Sequence, residues 1–192
     1  YKKIFQLTLV LFVGTLSVLS QSEKVSITNS FNGFSLKVEG KNFMIKGVNW
    51  DVIPIGKNAV DTNFWEGSDG IIKSGLDHEM SLLRAMNVNA IRHYSGIPAK
   101  WIQYIYENYG IHTMINHSFG RYGMSVDGEW NPITDYSDPK MQKILLSEIE
   151  IMVSNYKNTP GLLLYLLGNE NNYGLFWSGA ETEDFPEEET EK

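Results

Sequence analysis

The spacing of hydrophobic and polar positions changes several times along this chain, and the changes mark out its elements. Residues 4–19 are apolar except for Gln6, Thr8, Gly14, Thr15 and Ser17, with Lys2 and Lys3 ahead of them and Val18-Leu19-Ser20 behind. A basic start, a short apolar run and a small-residue patch predict a signal peptide over residues 1–20, cut after Ser20. The run is short for a bilayer span. The protein is therefore expected to be secreted, periplasmic or at the cell surface, without stable membrane insertion after cleavage. Residues 21–42 form a separate lead-in. Ser26-Ile27-Thr28 and the run Phe34-Ser35-Leu36-Lys37-Val38 flank Asn32-Gly33, which predicts a β-hairpin, and Glu39-Gly40-Lys41-Asn42 predicts a second turn.

Beyond residue 42 the pattern alternates between strand and helix. Phe43 to Trp50 reads as a buried strand. The spacing of Leu76, Met80, Leu83 and Met86 predicts a helix over 74–86, with Ser74 and Asp77 at capping-box distance. Residues 88–94 form the next strand. Pro98 opens a second helix with Trp101, Ile102, Ile105 and Tyr109 inward and Gly110 as its stop. A strand over 111–117 follows. Asp138-Pro139 caps a third helix that carries Met141, Ile144, Leu145, Ile149, Met152 and Tyr156 on its inner side and ends at Thr159-Pro160-Gly161. The apolar run 162–167 suits a strand buried on both faces. Strands alternating with helices predict a parallel α/β sheet, either open and doubly wound or closed into a (β/α)8 TIM barrel. The long connections, 51–73 and 118–137, both follow strands, which favours the barrel. No Gly-x-Gly-x-x-Gly or P-loop follows the first strand.

Composition narrows the chemistry. The net charge of −7 offers no basic face for nucleic acid, and much of the acidity sits in residues 181–192, read as a solvated segment. With no cysteine there is no thiolate catalysis and no disulfide. The four histidines, of which His93 and His117 could be neighbours, lack a matching carboxylate pattern, so no metal and no cofactor are expected.

Polar residues collect at the carboxyl ends of the predicted strands: Asn49 and Trp50, Arg92 and His93, Asn116 and His117, Asn169 and Glu170. Barrel enzymes build their sites at that end. Glu170 follows six apolar residues, Gly168 and Asn169, and a carboxyl on an apolar rim has its charged form disfavoured. Such a group can protonate the leaving oxygen of a glycoside. Tyr94, Trp50, Trp65, Tyr122, Tyr173 and Phe176, with Trp130 and Trp177 foremost, are candidate aromatic platforms for a sugar ring.

The motif Leu166-Leu167-Gly168-Asn169-Glu170 resembles the Asn-Glu signature that ends the fourth barrel strand of clan A retaining glycosidases. Phe43-Met44-Ile45-Lys46-Gly47-Val48-Asn49 is similar to the lead into the first strand of family 2 glycosidases and family 72 glucanosyltransferases, and Asn89-Ala90-Ile91-Arg92 to the second-strand motif of the same enzymes. The likeness covers about residues 34 to 173. It implies Glu170 as general acid/base, Asn169 as the contact to the hydroxyl beside the anomeric carbon, and Arg92 as the partner of the nucleophile. His117, Asn49 and Trp177 are further candidate contacts to an oligosaccharide or polysaccharide. The wording after Arg92 departs from the pattern, since His93 stands where Ser or Val-Tyr is common. The nucleophile of these enzymes is a second Glu at the seventh strand. A full barrel takes about 250 residues, more than residues 43–192 supply, so this region is expected to be the N-terminal half, with the nucleophile missing and little activity on its own. The readings set beside this one are a non-catalytic carbohydrate-binding protein on a degenerate barrel and a metal-dependent hydrolase.

Overall fold

Four short segments rich in aliphatic residues lie side by side in the order in which the chain makes them. A computed structural model describes residues 24–31, 33–51, 64–94 and 96–169. The predicted signal peptide, Asn32, most of the first long loop, Glu170, Trp177 and the acidic segment fall outside them. The parallel strands are β4 (Gly47–Asn49), β5 (Ala90–His93), β6 (His112–His117) and β9 (Leu162–Leu167), hydrogen-bonded in that order. A doubly wound sheet reverses direction at a switch point. Among the described residues the order of the parallel strands shows no reversal. Helices α1 (Asp69–Ala85), α2 (Ala99–Tyr109) and α3 (Pro139–Tyr156) occupy the connections.

Alternation along the strands gives the sheet two faces. Ile91 and Ile115 meet Ile72, Leu76 and Met80 of α1 and Trp101, Ile102 and Ile105 of α2. On the opposite face Ala90 and Met114 join Leu163, Leu164 and Leu166. Strands β1 (Val25–Ser30) and β2 (Gly33–Val38) pair antiparallel, with β3 (Lys41–Asn42) alongside β2. Val25, Leu36 and Val38 of this lead-in cover the second face near the amino ends of the strands, leaving the carboxyl ends open.

Local chemistry explains the helix ends. Asp138 accepts hydrogen bonds from the backbone N–H groups of Lys140 and Met141, with Pro139 in the first turn of α3. Gly110 ends α2 with a φ of 66°, a conformation open to glycine. Helix α1 starts five residues ahead of the predicted Ser74, at Asp69 after Ser68, because Ile72 extends the buried stripe one turn upstream of Leu76. The capping pair at Ser74 and Asp77 is not its start, and Met86 lies exposed beyond its end.

Four more expectations change. Of the predicted strand 43–50 only Gly47–Asn49 is extended into the sheet. The backbone before it is held by a side chain: Asn89 accepts from the Lys46 N–H and donates to the Met44 carbonyl, both at 2.8 Å. Strand β9 is less buried than expected, with only Leu163 fully buried and Leu167 51% exposed. The first hairpin closes with Ser30 opposite Gly33, so its two connecting residues lie one position earlier than Asn32-Gly33. Finally, the second long loop contains an unpredicted hairpin, β7 (Met124–Val126) and β8 (Glu129–Asn131). Its connection is Asp127-Gly128, with φ of 53° and 88°, the positive pair a type I′ turn needs.

Asp77 ties the first two helices together. Its Oδ1 accepts from the Tyr104 and Tyr109 hydroxyls of α2 at 2.5 and 2.6 Å. These bonds, Tyr104 first, hold its carboxyl below the usual aspartate range, with the Lys73 charge assisting. A carboxylate whose pKa is lower in the folded than in the unfolded state stabilises the fold above its unfolded pKa of about 3.9 and loses that contribution as pH falls through the folded value. Asp77→Asn is therefore expected to melt below the parent at neutral pH by a small margin that closes as pH drops below about 4. Thermal melts across that range check it; a constant margin would contradict it.

Candidate functional site

The open carboxyl end of the sheet gathers three polar side chains from three strands. Arg92 lies one alternation above Ala90 on β5, and Asn116 one alternation above Met114 on β6, so both face away from α1 and α2. Asn169 reaches the same face by a different device. The Gly168 N–H donates to the His117 carbonyl at 2.7 Å, extending the β6–β9 ladder by one step. Strict alternation from Leu166 would then turn residue 169 toward the helices. Gly168 has a φ of 104°, which breaks the alternation and returns Asn169 to the Arg92 side.

The guanidinium of Arg92 links the three. Its Nε and Nη2 donate to Asn116 Oδ1 at 3.1 and 2.6 Å, and Nη2 also donates to Asn169 Oδ1 at 2.8 Å. Its cation sits 4.7 Å from the centre of the Tyr94 ring. Asn169 Nδ2 in turn donates to the Tyr122 hydroxyl at 2.7 Å. These hydrogen-bond partners of Arg92 are neutral amides. Neutral partners do not cancel the charge of a part-buried cation, and such a cation favours an anion beside it.

The other candidates are distributed as follows. His117 continues the opposite face of β6: its Nε2 stands 3.5 Å from Glu148 Oε2 of α3, and its Nδ1 accepts from the Phe119 N–H at 3.1 Å. With Ser118, Ser125, Trp130 and Glu148 it lines an outer cleft of about 360 Å3. His93 has different partners. It is buried, with Nδ1 2.6 Å from Asp51 Oδ1 and 3.1 Å from the Trp50 carbonyl oxygen. Asn49 is exposed at the end of β4. Trp50 and Trp65 are not exposed platforms. Trp50 belongs to the core, packs edge-on against Trp65, and its Nε1 donates to Glu79 at 2.6 Å. Trp130, on β8, is 62% exposed. Glu170, Tyr173, Phe176 and Trp177 lie outside the described residues. Two members of the Arg92 network were read differently from the sequence: Asn116 was grouped with the polar strand ends without a role of its own, and Tyr122 was read as an aromatic platform for a sugar ring. Two-residue alternation from Met114 was the signal for Asn116; nothing local marked the bond of Tyr122 to Asn169.

The family model for the TIM-barrel domain of family 2 glycosyl hydrolases matches residues 30–180. Among curated proteins, a beta-galactosidase of Lactococcus lactis subsp. lactis is 26% identical over 141 residues, 72% of this chain and 12% of that protein. One of Oenococcus oeni is 26% identical over 177 residues, 89% of this chain and 15% of its own length. One of Priestia megaterium is 25% identical over 159 residues, 78% of this chain and 14% of its own. The chain thus spans well under a fifth of the curated relatives it matches. No solved structure matches.

Because Gly168 alone turns Asn169 inward, Gly168→Ala is expected to lower stability by about 1–2 kcal/mol, the cost of forcing a Cβ into positive φ. Urea denaturation measures this, and an unchanged midpoint would show that the turn tolerates a side chain.

Proposed function

The chain belongs to glycosyl hydrolase family 2 through its TIM-barrel domain, and on that premise we propose that it acts on a β-linked glycan by a retaining, two-carboxylate mechanism with Glu170 as the general acid/base. The observation that carries the proposal is the part-buried Arg92, clasped at the strand ends by two neutral amides, Asn116 and Asn169. That arrangement suits a site where the guanidinium keeps a carboxylate nucleophile ionised, and the negative charge of that nucleophile in turn raises the pKa of the second carboxyl so that it stays protonated.

The chemistry then divides between residues. Asn169, fixed by Arg92, presents its amide to the sugar hydroxyl next to the anomeric carbon. Glu170, one residue on, gives its proton to the glycosidic oxygen as the bond to the anomeric carbon breaks. A second carboxylate attacks that carbon and forms a glycosyl ester. Glu170, now ionised, takes a proton from water, or from a sugar hydroxyl in transglycosylation, as the ester is cleaved. The four described parallel strands, in chain order, correspond in this reading to the first half of an eight-stranded barrel preceded by its hairpin lead-in. In this reading the second carboxylate is supplied by a later strand of the barrel. The relatives' name makes a β-galactoside the first substrate to test. We further propose that residues 1–20 direct export, which places the substrate outside the cytoplasm. Among the described residues no helix is long and apolar enough to cross a membrane.

The test uses the full-length protein carrying this chain. Glu170→Gln should lose about 10²- to 10⁴-fold in kcat on glycosides with poor leaving groups and much less on activated aryl glycosides, and the basic limb of its pH–rate profile should flatten. Equal loss on both substrates, or none, would remove Glu170 from this role.

A further inference from the structure

The loop between β6 and β7 is built to hold one hydroxyl in place, and that hydroxyl braces the far end of the Asn169 amide. Thr134 Oγ1 donates to the Gly120 carbonyl at 2.5 Å and the Tyr136 hydroxyl donates to the Phe119 carbonyl at 2.8 Å, pinning the loop to the segment that follows β8. At Gly123, with a φ of 92°, a Cβ would come within 2.5 Å of the Asn131 carbonyl oxygen and 2.8 Å of the Trp130 ring. The backbone there is pressed directly onto the β7–β8 hairpin. Tyr122 is held between these anchors. It is 37% exposed, and its hydroxyl meets Asn169 across 47 residues of sequence.

Hydrogen-bond chemistry fixes the sense of each bond. A guanidinium can only donate, so the Asn169 atom facing Arg92 is Oδ1. The atom facing Tyr122 is then Nδ2, and the phenolic oxygen must accept. One Nδ2 hydrogen is spent on Tyr122, the second remains for a ligand oxygen, and the Tyr122 hydroxyl keeps its own proton for another acceptor. Arg92 and Tyr122 thus hold the amide from its two ends. Either bond alone would leave the amide plane free to tilt.

We propose that Tyr122 is a positioning residue for the glycosidase reaction, acting through Asn169: it sets the plane of the amide that receives the sugar hydroxyl beside the anomeric carbon. The proposal rests on the function assigned above, because it names a further residue of the same site. It also gives the β7–β8 hairpin a purpose, as the base on which the Tyr122 loop is clamped.

The experiment compares an aryl β-glycoside with its analogue lacking the hydroxyl next to the anomeric carbon, using the full-length parent and the variants Tyr122→Phe, Asn169→Ala and the double variant. Tyr122→Phe keeps the ring and its packing. It is expected to lower kcat/KM on the complete glycoside about tenfold, the effect of one well-placed hydrogen bond, mainly through kcat. On the deoxygenated analogue, and in the Asn169→Ala background, the same change should cost less than about twofold. A Tyr122→Phe loss of equal size on both glycosides and in both backgrounds would overturn the proposal, since the hydroxyl would then act independently of Asn169. So would no loss at all. A parent that hydrolyses no glycoside would instead defeat the function proposed for the whole site, and the role of Tyr122 with it.

Discussion

A positive charge set among neutral groups organises this site. Arg92 emerges from β5 on the face of the sheet away from α1 and α2, where Asn116 and Asn169 take up its Nε and Nη2 donors. Because those side chains come from the ends of β5, β6 and β9, the guanidinium fixes the relative positions of three strand ends. The two amides satisfy its geometry without neutralising it. A part-buried cation in that condition draws in a carboxylate and stabilises its ionised form. The chemistry we propose therefore depends on a feature that is first of all a packing constraint.

The rest of the fold can be understood as what holds that cation at the mouth of the sheet. The apolar rows of α1 and α2 cover one face, and the hairpin lead-in covers the amino ends of the other. The carboxyl ends are left for polar side chains, and two glycines make that arrangement possible. Gly168 turns Asn169 out of strand alternation, and Gly123 lets the loop bearing Tyr122 lie flat on its hairpin. Neither glycine touches a ligand in this account. Both have a positive φ, so a Cβ at either would strain the backbone that places Asn169 or Tyr122.

Much of this was legible in the sequence wherever the determinant was local. Asp138-Pro139 and Gly110 marked helix ends through bonds made within a few residues, and the run at 162–167 marked a strand. The Gly168-Asn169-Glu170 wording, the phrase around Asn89-Ala90-Ile91-Arg92 and the strand–helix order pointed to the family that residues 30–180 match. The misread features depend on partners far away in the chain. Met44 and Lys46 looked like strand but are bonded to the side chain of Asn89. Trp50 looked like a sugar platform, yet it is buried against Trp65 and donates to Glu79. His117 was chosen over Asn116, although alternation gives Asn116 the same face as Met114. The Asp127-Gly128 turn was available as a signal and was passed over as part of a long loop. Tyr122 was read as an aromatic platform, and nothing local marked its bond to Asn169, which exists only once residue 169 is folded back beside it.

The measurement that bears most directly on the central claim is chemical rescue of Glu170→Ala in the full-length protein, using an aryl glycoside with an activated leaving group and added azide. If Glu170 is the acid/base of a retaining enzyme, azide needs no general base and attacks the accumulated glycosyl ester. The rate should rise with azide concentration, and the product should be a glycosyl azide with the configuration of the substrate. A glycosyl azide of inverted configuration would make Glu170 the nucleophile instead. No rescue at any azide concentration would contradict a covalent mechanism in which Glu170 serves the second step.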